Sequence, residues 1–427
     1  MKKYLLITYY WPPCGGVAVQ RWLKLTKYLS LYGYNASILT TEKGDYSFID
    51  ESLTDNPLSD KLSQITLIRI KTPIYHKIYN FILGKKERLP SGSLKTKGED
   101  PILKKILYWV RRHFIAPDAR VFWNNNAINA AKKVLSIQKH DIIITTGPPH
   151  STHLIGANVI KHFDIKWIAD FRDPWTNITY NINEKKNFFI KKIDYLLEKR
   201  VISKADVVVT VSNVFAQNLL TGNKRIIPNA FDNEDFIGID YQQSNSFRIK
   251  YIGTLPESRI KPAQNIVNWI IEYLNQNQID DIEISIIGAF QNVPNDFKDK
   301  VMNIPFVTHK KAIEECINSE ILLLIINQES FNEGIITHKL YDYLGSKSII
   351  FAIGPKDTEL EKILLDSKGG ILFSYTDKSY FLESLDITYK KWKKGMDIKN
   401  KTDVSKYSMD NIAKMYCDIL NELYQML

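Results

Sequence analysis

Tyr4-Leu5-Leu6-Ile7-Thr8-Tyr9-Tyr10-Trp11-Pro12-Pro13-Cys14-Gly15-Gly16 reads as a buried strand running into a glycine turn. A helix follows from about Val17 to Tyr32 and stops at Gly33, and the apolar run Asn35 to Thr40 completes a βαβ unit. Paired glycines let a backbone approach a phosphate closely, and the free N–H groups of the helix start add a favourable partial charge. The spacing is not that of the GxGxxG dinucleotide motif, so the turn by itself names no ligand. Arg21, one turn into the helix, is either aimed at this turn or solvated.

The pattern restarts at Ile249-Lys250-Tyr251-Ile252-Gly253-Thr254, which leads to a helix carrying Ile266, Trp269, Ile270 and Leu274. Arg259 and Lys261 stand at its start. Between the two openings, Asp141 to Thr146 is a buried parallel strand ending in Gly147-Pro148-Pro149-His150-Ser151-Thr152-His153, the start of a helix. A strand over Lys166 to Ala169 then runs into Asp170-Phe171-Arg172-Asp173-Pro174-Trp175. Ligands collect at such carboxyl ends, so His150, His153, Asp170, Arg172 and Asp173 are candidate site residues. Their structural alternative makes the two aspartates turn caps and Arg172 their partner. A helix over about Phe188 to Lys204 and a strand from Asp206 to Ser212 close this half. Further strands are expected at Ile282–Ile287, Ile304–Val307, Ile321–Ile326, Ile349–Ile353 and Gly370–Phe373, with a helix over Lys310–Ser319.

Gly334-Ile335-Ile336-Thr337-His338-Lys339-Leu340-Tyr341-Asp342 opens a short helix before one of these strands. Thr337 and Lys339 fall where free N–H groups can hold an anion, and Asp342 sits within reach of a sugar hydroxyl beside it. A nucleotide diphosphate needs N–H donors and a cation for the phosphates and a carboxylate for the ribose. The alternative is an amphipathic helix whose charges face water.

The chain has 427 residues, more than one core usually holds, which predicts two domains. A first domain spans 1–231, a second spans 232–408, and a last helix over 409–427 is long enough to return to the first; Ile226 to Asp232 is the proline-bearing bridge. Lys and Arg number 57 against 47 Asp and Glu, a net charge of +10 that favours anionic partners. Lys71, Lys77, Lys85, Lys86, Arg88, Lys95, Lys97, Lys104, Lys105, Arg111, Arg112 and Arg120 interleave with apolar residues such as Phe81, Trp109 and Phe114. That pattern, with a linker at 90–100 and an amphipathic helix from Ile102 to Phe114, fits an anionic membrane surface. The same helix could instead bury Trp109 and Phe114 in its own core. No apolar run is long enough to span a bilayer, and three scattered cysteines, Cys14, Cys316 and Cys417, suggest neither disulfides nor a zinc cage. The expectation is a cytoplasmic protein, peripheral at the inner face of the cell membrane, and no nucleic-acid reader module is recognisable.

Taken together, Tyr10 to Gly16 with Arg21, Thr145 to Ser151 followed by Asp170 to Trp175, Pro228-Asn229-Ala230-Phe231-Asp232, and Lys339 to Leu344 resemble the retaining glycosyltransferases of family four. The resemblance implies an α/β chain with two Rossmann-like domains facing a central cleft, the GT-B fold: an acceptor domain followed by a donor domain. It implies transfer of a sugar from a nucleotide diphosphate sugar to an acceptor, with no cofactor and no essential metal. Gly15, Gly16, Thr337 and Lys339 would then serve the donor, with Arg259 or Lys261 neutralising the leaving diphosphate and Asp342 on the ribose. His150 and Asp170 would stand near the transferred sugar and the acceptor hydroxyl, with Arg21, His153, Arg172 and Asp173 on the acceptor side. Many members pair two glutamates across seven residues; here Glu333 stands nine positions before Asp342, and Gly334 eight before it. Thr254 replaces the arginine that many carry after the second glycine turn. Expected partners are therefore a nucleotide sugar, a lipid-linked or polysaccharide acceptor such as a capsule or lipopolysaccharide precursor, and an anionic membrane surface. A nucleotide-sugar epimerase of the same fold and a non-catalytic sugar-nucleotide-binding protein are the alternatives.

Overall fold

Short β-branched runs alternating with amphipathic stretches have one economical solution, parallel strands covered by helices on both faces. The computed structural model has that form and describes residues 2–44, 46, 49–53, 65–72, 102–176, 186–220, 222–288, 300–329 and 332–427. The linker expected at 90–100 and the cations from Lys77 to Lys97 lie outside the described residues. These residues form two compact units, Met1–Pro228 with Ile412–Leu427, and Asn229–Asn411.

The first unit holds seven parallel strands: β1 (Lys2–Ile7), β2 (Tyr34–Thr41), β3 (Thr66–Ile70), β4 (Ile142–Gly147), β5 (Lys166–Phe171), β6 (Val207–Thr210) and β7 (Lys224–Ile226). Their order is β3-β2-β1-β4-β5-β6-β7, with Leu5 beside Ser37 on one side and Ile143 on the other. Strand order therefore reverses at β1/β4. The covering helices are α1 (Val17–Leu31), α2 (Ile102–Phe114), α3 (Asn124–Ile137), α4 (Ser151–Val159), α5 (Phe188–Lys204) and α6 (Asn213–Asn218).

The second unit orders β8 (Phe247–Ile252), β9 (Ile282–Ile287), β10 (Met302–Ile304), β11 (Ile321–Ile325), β12 (Ile349–Ile353) and β13 (Gly370–Phe373) as β10-β9-β8-β11-β12-β13, again all parallel. Its helices are α7 (Glu257–Asn277), α8 (His309–Ile317), α9 (Lys339–Ser346), α10 (Glu359–Ser367) and α11 (Lys378–Lys393). Ile321, Leu323 and Ile325 enter one core with Phe247 and Ile266, while Leu322 and Leu324 enter another with Leu340 and Leu364. Both faces of β11 are thus buried, which is why its sequence is uniformly apolar.

A last helix, α12 (Met409–Gln425), contributes its residues from Ile412 onward to the first unit. Tyr416 meets the Trp22 ring edge-on at 5.3 Å, and the Tyr424 hydroxyl donates to the Lys3 carbonyl at 2.9 Å. Among the described residues no helix is long and apolar enough to cross a membrane.

Several elements differ from the sequence expectation. β5 runs on through Phe171, because Thr146 and Gly147 pair with Asp170 and Phe171 across the sheet, so Asp170 lies in a strand and not in a loop. β10 ends at Ile304, where the expected strand begins. β7, α6, α10 and α11 were not expected; β7 has only three half-buried residues, too few to show alternation.

Candidate functional site

Open α/β sheets bind ligands beyond the carboxyl ends of the strands where their order reverses. In the first unit that point is ringed by the loop after β1, the Gly147-Pro148-Pro149 turn after β4, and the end of β5. Gly16 (φ 86) precedes α1, whose start has no side-chain cap and no acid in its first turn. Its N–H groups are therefore available to an anion. Gly147 is a tight point: an added Cβ would lie 2.7 Å from His153 Nε2 and 3.1 Å from His150 Nδ1, so only glycine fits between the two rings.

His153 is buried and stacked on Phe171 at 4.3 Å. The Thr145 hydroxyl accepts from Trp167 Nε1 at 2.9 Å and is hydrogen-bonded to His153 Nδ1, also at 2.9 Å. Burial holds this ring neutral, well below the usual histidine range, with His150 and Arg172 adding to the effect. His150 stacks parallel on Trp175 at 5.3 Å. Burial pushes its pKa down to about 4, against the opposing influence of Asp118 and the Pro174 carbonyl.

The charged residues around these rings divide sharply. Asp170 is fully buried and saturated: Oδ2 accepts from Trp22 Nε1 at 2.6 Å and Thr146 Oγ1 at 2.8 Å, and Oδ1 accepts from the Tyr416 hydroxyl at 2.9 Å. Arg21, expected on the acceptor side, instead turns into the same network, 3.7 Å from Asp170 Oδ1, and donates to the Ile227 and Pro228 carbonyls at 2.9 and 2.7 Å. Arg172 spends its guanidinium on the carbonyls of Gly147, Pro148 and Ala18, tying the proline turn to the start of α1. Asp170 and Arg21, expected near the acceptor and the transferred sugar, are thus engaged in a buried network that ties α1, β4, β5 and α12 together. Asp173 is the exception: half-buried, it makes no hydrogen bond among the described residues, and burial raises its pKa against the pull of Arg172.

The corresponding reversal in the second unit lies between β8 and β11. Their ladder stops after Ile321/Ile249 and Leu322/Lys250, so the strands part toward their carboxyl ends. Tyr343 of α9 fills the gap, its hydroxyl accepting from the Ile252 N–H at 3.0 Å and facing the Ile252 carbonyl at 3.4 Å. One helical turn earlier on the same face, this seats Lys339 over Gly253. Gly253 (φ 112) admits no side chain, since a Cβ there would lie 2.5 Å from Lys339 Cε.

Lys339 Nζ lies 3.9 Å from the Tyr251 ring centre and 3.5 Å from the Thr254 carbonyl. Arg259, in the first turn of α7, comes to the same tyrosine, and its Nε has no hydrogen-bond partner among the described residues. Burial would raise the Tyr251 pKa, but Lys339 and Arg259 outweigh it and hold it below the usual value. Burial also lowers the Lys339 pKa, opposed by Tyr251. The start of α9 carries no side-chain cap; among the described residues Thr337 Oγ1 and His338 Nε2 are buried without hydrogen-bond partners, and His338 Nδ1 is 3.5 Å from Asp342. Two cations, an uncapped helix start and a carboxylate therefore meet at one corner. Lys261 is exposed on α7 and takes no part in it.

Sequence reasoning named Arg259, Thr337, Lys339 and Asp342 here but missed Tyr251, His338 and Tyr343. The neighbouring Thr-His-Lys run was a signal for His338; nothing in the pattern marked Tyr343 as more than core. Among the described residues no group of three or more His, Cys, Asp or Glu is placed to hold a metal ion.

No family model and no curated protein sequence matches the chain. Solved structures do match along its whole length. Sucrose-phosphate synthase from Thermosynechococcus elongatus aligns with a TM-score of 0.64 at 10% identity, covering 100% of both chains. HepE from Anabaena, solved with UDP-glucose, gives 0.59 at 10% identity over 99% of this chain and 100% of its own. UDP-GlcNAc 2-epimerase from Methanocaldococcus jannaschii gives 0.50 at 13% identity over 99% and 100%. What the chain shares with all three is the architecture of two parallel-sheet, Rossmann-like α/β domains, the GT-B fold.

Proposed function

We propose that the protein is a glycosyltransferase that takes its sugar from a nucleotide diphosphate sugar. The observation that carries this reading is the convergence of Lys339 and Arg259 on Tyr251 beside the uncapped start of α9. Two cations suit a diphosphate, and they gain most when the leaving group acquires charge; the Leu340 and Tyr341 N–H groups of the helix start already bond the Thr337 and His338 carbonyls. Asp342 would take the ribose hydroxyls. HepE, a structural neighbour, was solved with a UDP-sugar.

In the first unit, the neutral His150 and the half-buried Asp173 are the groups we assign to the acceptor and the transferred sugar. Retention of anomeric configuration, and no requirement for a metal, follow the resemblance of the sequence motifs. The acceptor is proposed to be lipid-linked or a glycan precursor met at the inner membrane surface. Support for that location comes from α2, whose Ile102, Ile106, Trp109 and Phe114 are exposed next to Arg111 and Arg112.

Thermal shift against UDP, GDP, ADP and CMP tests the donor site. Ligand at about 100 times its dissociation constant adds roughly 2.7 kcal/mol. Stabilisation by one nucleotide, abolished in Lys339→Ala and Arg259→Ala, is expected; no stabilisation by any of them overturns the reading. The UDP-GlcNAc 2-epimerase neighbour keeps a second reaction in view. Conversion of a nucleotide sugar to its epimer without an acceptor would establish that one instead.

A further inference from the structure

Helix α5 buries Ile190, Val201 and Ile202 as a core helix does, yet leaves a second, broad apolar face in water. Its carboxylates face inward and its phenylalanines face water. Asp194 and Glu198 are buried, Asp194 paired with Lys186 at 2.9 Å and Glu198 accepting from the Thr176 hydroxyl. Phe188, Phe189, Ile193, Tyr195 and Leu196 are exposed by 72, 70, 43, 45 and 51%. Phe189, Ile193, Leu196 and Arg200 follow one helical stripe, and Phe188, Lys192, Tyr195 and Lys199 follow the adjoining one. The exposed charges on the helix are Lys191, Lys192, Lys199, Arg200 and Lys204, all of them cationic.

Five large apolar side chains left in water cost the folded chain solvation free energy that a soluble helix would avoid. Both acids of the helix are withdrawn into the interior, so the outer face presents apolar area framed by one sign of charge. We infer that α5 docks the first unit on an anionic lipid bilayer, with Phe188 and Phe189 entering the headgroup boundary and the five cations at the phosphates. A second copy of the chain is the poorer occupant, because pairing this face with itself sets lysines and arginines against one another. The inference deepens the membrane part of the proposed function but stands on a different helix from α2 and on side chains that sequence periodicity did not single out.

The test is co-sedimentation of the full chain with vesicles of phosphatidylglycerol and phosphatidylethanolamine, and with phosphatidylcholine vesicles. Wild type should bind the anionic vesicles and release at high salt. Phe188→Asp/Phe189→Asp should lower partitioning by about tenfold or more, while Phe188→Trp/Phe189→Trp retains it. Lys191→Glu/Lys192→Glu should weaken binding to the anionic vesicles alone. Circular dichroism and a thermal melt establish that each variant is folded. Unchanged binding in both α5 double variants overturns the inference. If Trp109→Asp/Phe114→Asp on α2 abolishes binding in the same series, the membrane reading survives and only the α5 assignment falls. No binding by wild type, or a wild-type dimer that the Phe188/Phe189 variant dissociates, overturns it as well. Nucleotide-induced stabilisation, read separately, reports on the donor site.

Discussion

Both sheets reverse their strand order and both place charged residues at the reversal, yet most charges of the first corner are engaged, and its unpartnered atoms among the described residues include His150 Nδ1 and Nε2 and His153 Nε2. In the first unit Asp170, Arg21 and Arg172 satisfy one another or spend their donors on backbone carbonyls. In the second, Arg259 Nε, Thr337 Oγ1 and His338 Nε2 lack hydrogen-bond partners among the described residues, and Lys339 has an aromatic face and one long contact. Charge at a strand end is therefore an ambiguous sign. A saturated cluster holds the fold; an unsaturated one is kept at a cost in stability and waits for a ligand.

The largest effect that separates the corners is expected at Asp170. Asp170→Ala leaves Arg21 buried without its carboxylate and orphans Trp22, Thr146 and Tyr416, a loss of about 3–5 kcal/mol on chemical denaturation. A loss under about 1 kcal/mol would mean that the first corner is not saturated after all.

Acid should act on the first corner next. With a folded pKa of about 4 against 6.5 in the unfolded chain, His150 binds fewer protons when folded. Its contribution is complete above pH 6.5 and disappears as pH falls toward 4, about 3 kcal/mol over that window. Stability measured at pH 7 and pH 4.5 should differ less in His150→Phe than in wild type; equal slopes would place the ring in water.

In the second corner the expected loss is in binding. Lys339→Ala should weaken nucleoside diphosphate by about 1.5–3 kcal/mol, roughly 10- to 150-fold by calorimetry, and leave the urea midpoint close to wild type. A large fall in stability without loss of affinity would make Lys339 structural and erase the contrast.

Tyr343→Phe sharpens the comparison by removing one hydroxyl. The Ile252 N–H then lacks its acceptor, about 1–3 kcal/mol of stability is lost, and nucleotide affinity falls several-fold as α9 loosens under Lys339. The smallest stability change is expected at Asp173→Asn, within about 1 kcal/mol, while turnover falls. Full activity in that variant would return attention to Asp170.

Much of this was legible before any coordinates. Apolar runs marked most of the strands, because a strand buried on both faces cannot hide its composition. Repetition of strand, glycine turn and helix at Tyr4 and Ile249 marked the two halves. The half-buried β7 was too short to show alternation, whereas α10 and α11 were passed over although Leu360, Ile363 and Leu364, and Phe381, Leu385 and Tyr389, follow a helical period. In the site, Lys339, Arg259 and Asp342 stood out because cations and a carboxylate at a helix start have few other uses. The Asp170–Phe171–Arg172–Asp173 run divides in the structure into a strand end, a carbonyl clamp and an acid with no hydrogen bond among the described residues, a division that composition does not show.

Composition and spacing by themselves determined the α/β class, the two-unit division and the second-unit corner, because these depend on local periodicity and on which residues begin a helix. Only the tertiary structure decided which charges are free. Partnership is set by residues far apart in the chain, Trp22 and Tyr416 for Asp170, Tyr343 for Ile252, and Asp194 and Glu198 turned inward beneath an apolar outer face of α5. Hydrogen-bond satisfaction is a three-dimensional property, and a linear pattern of residue types does not contain it.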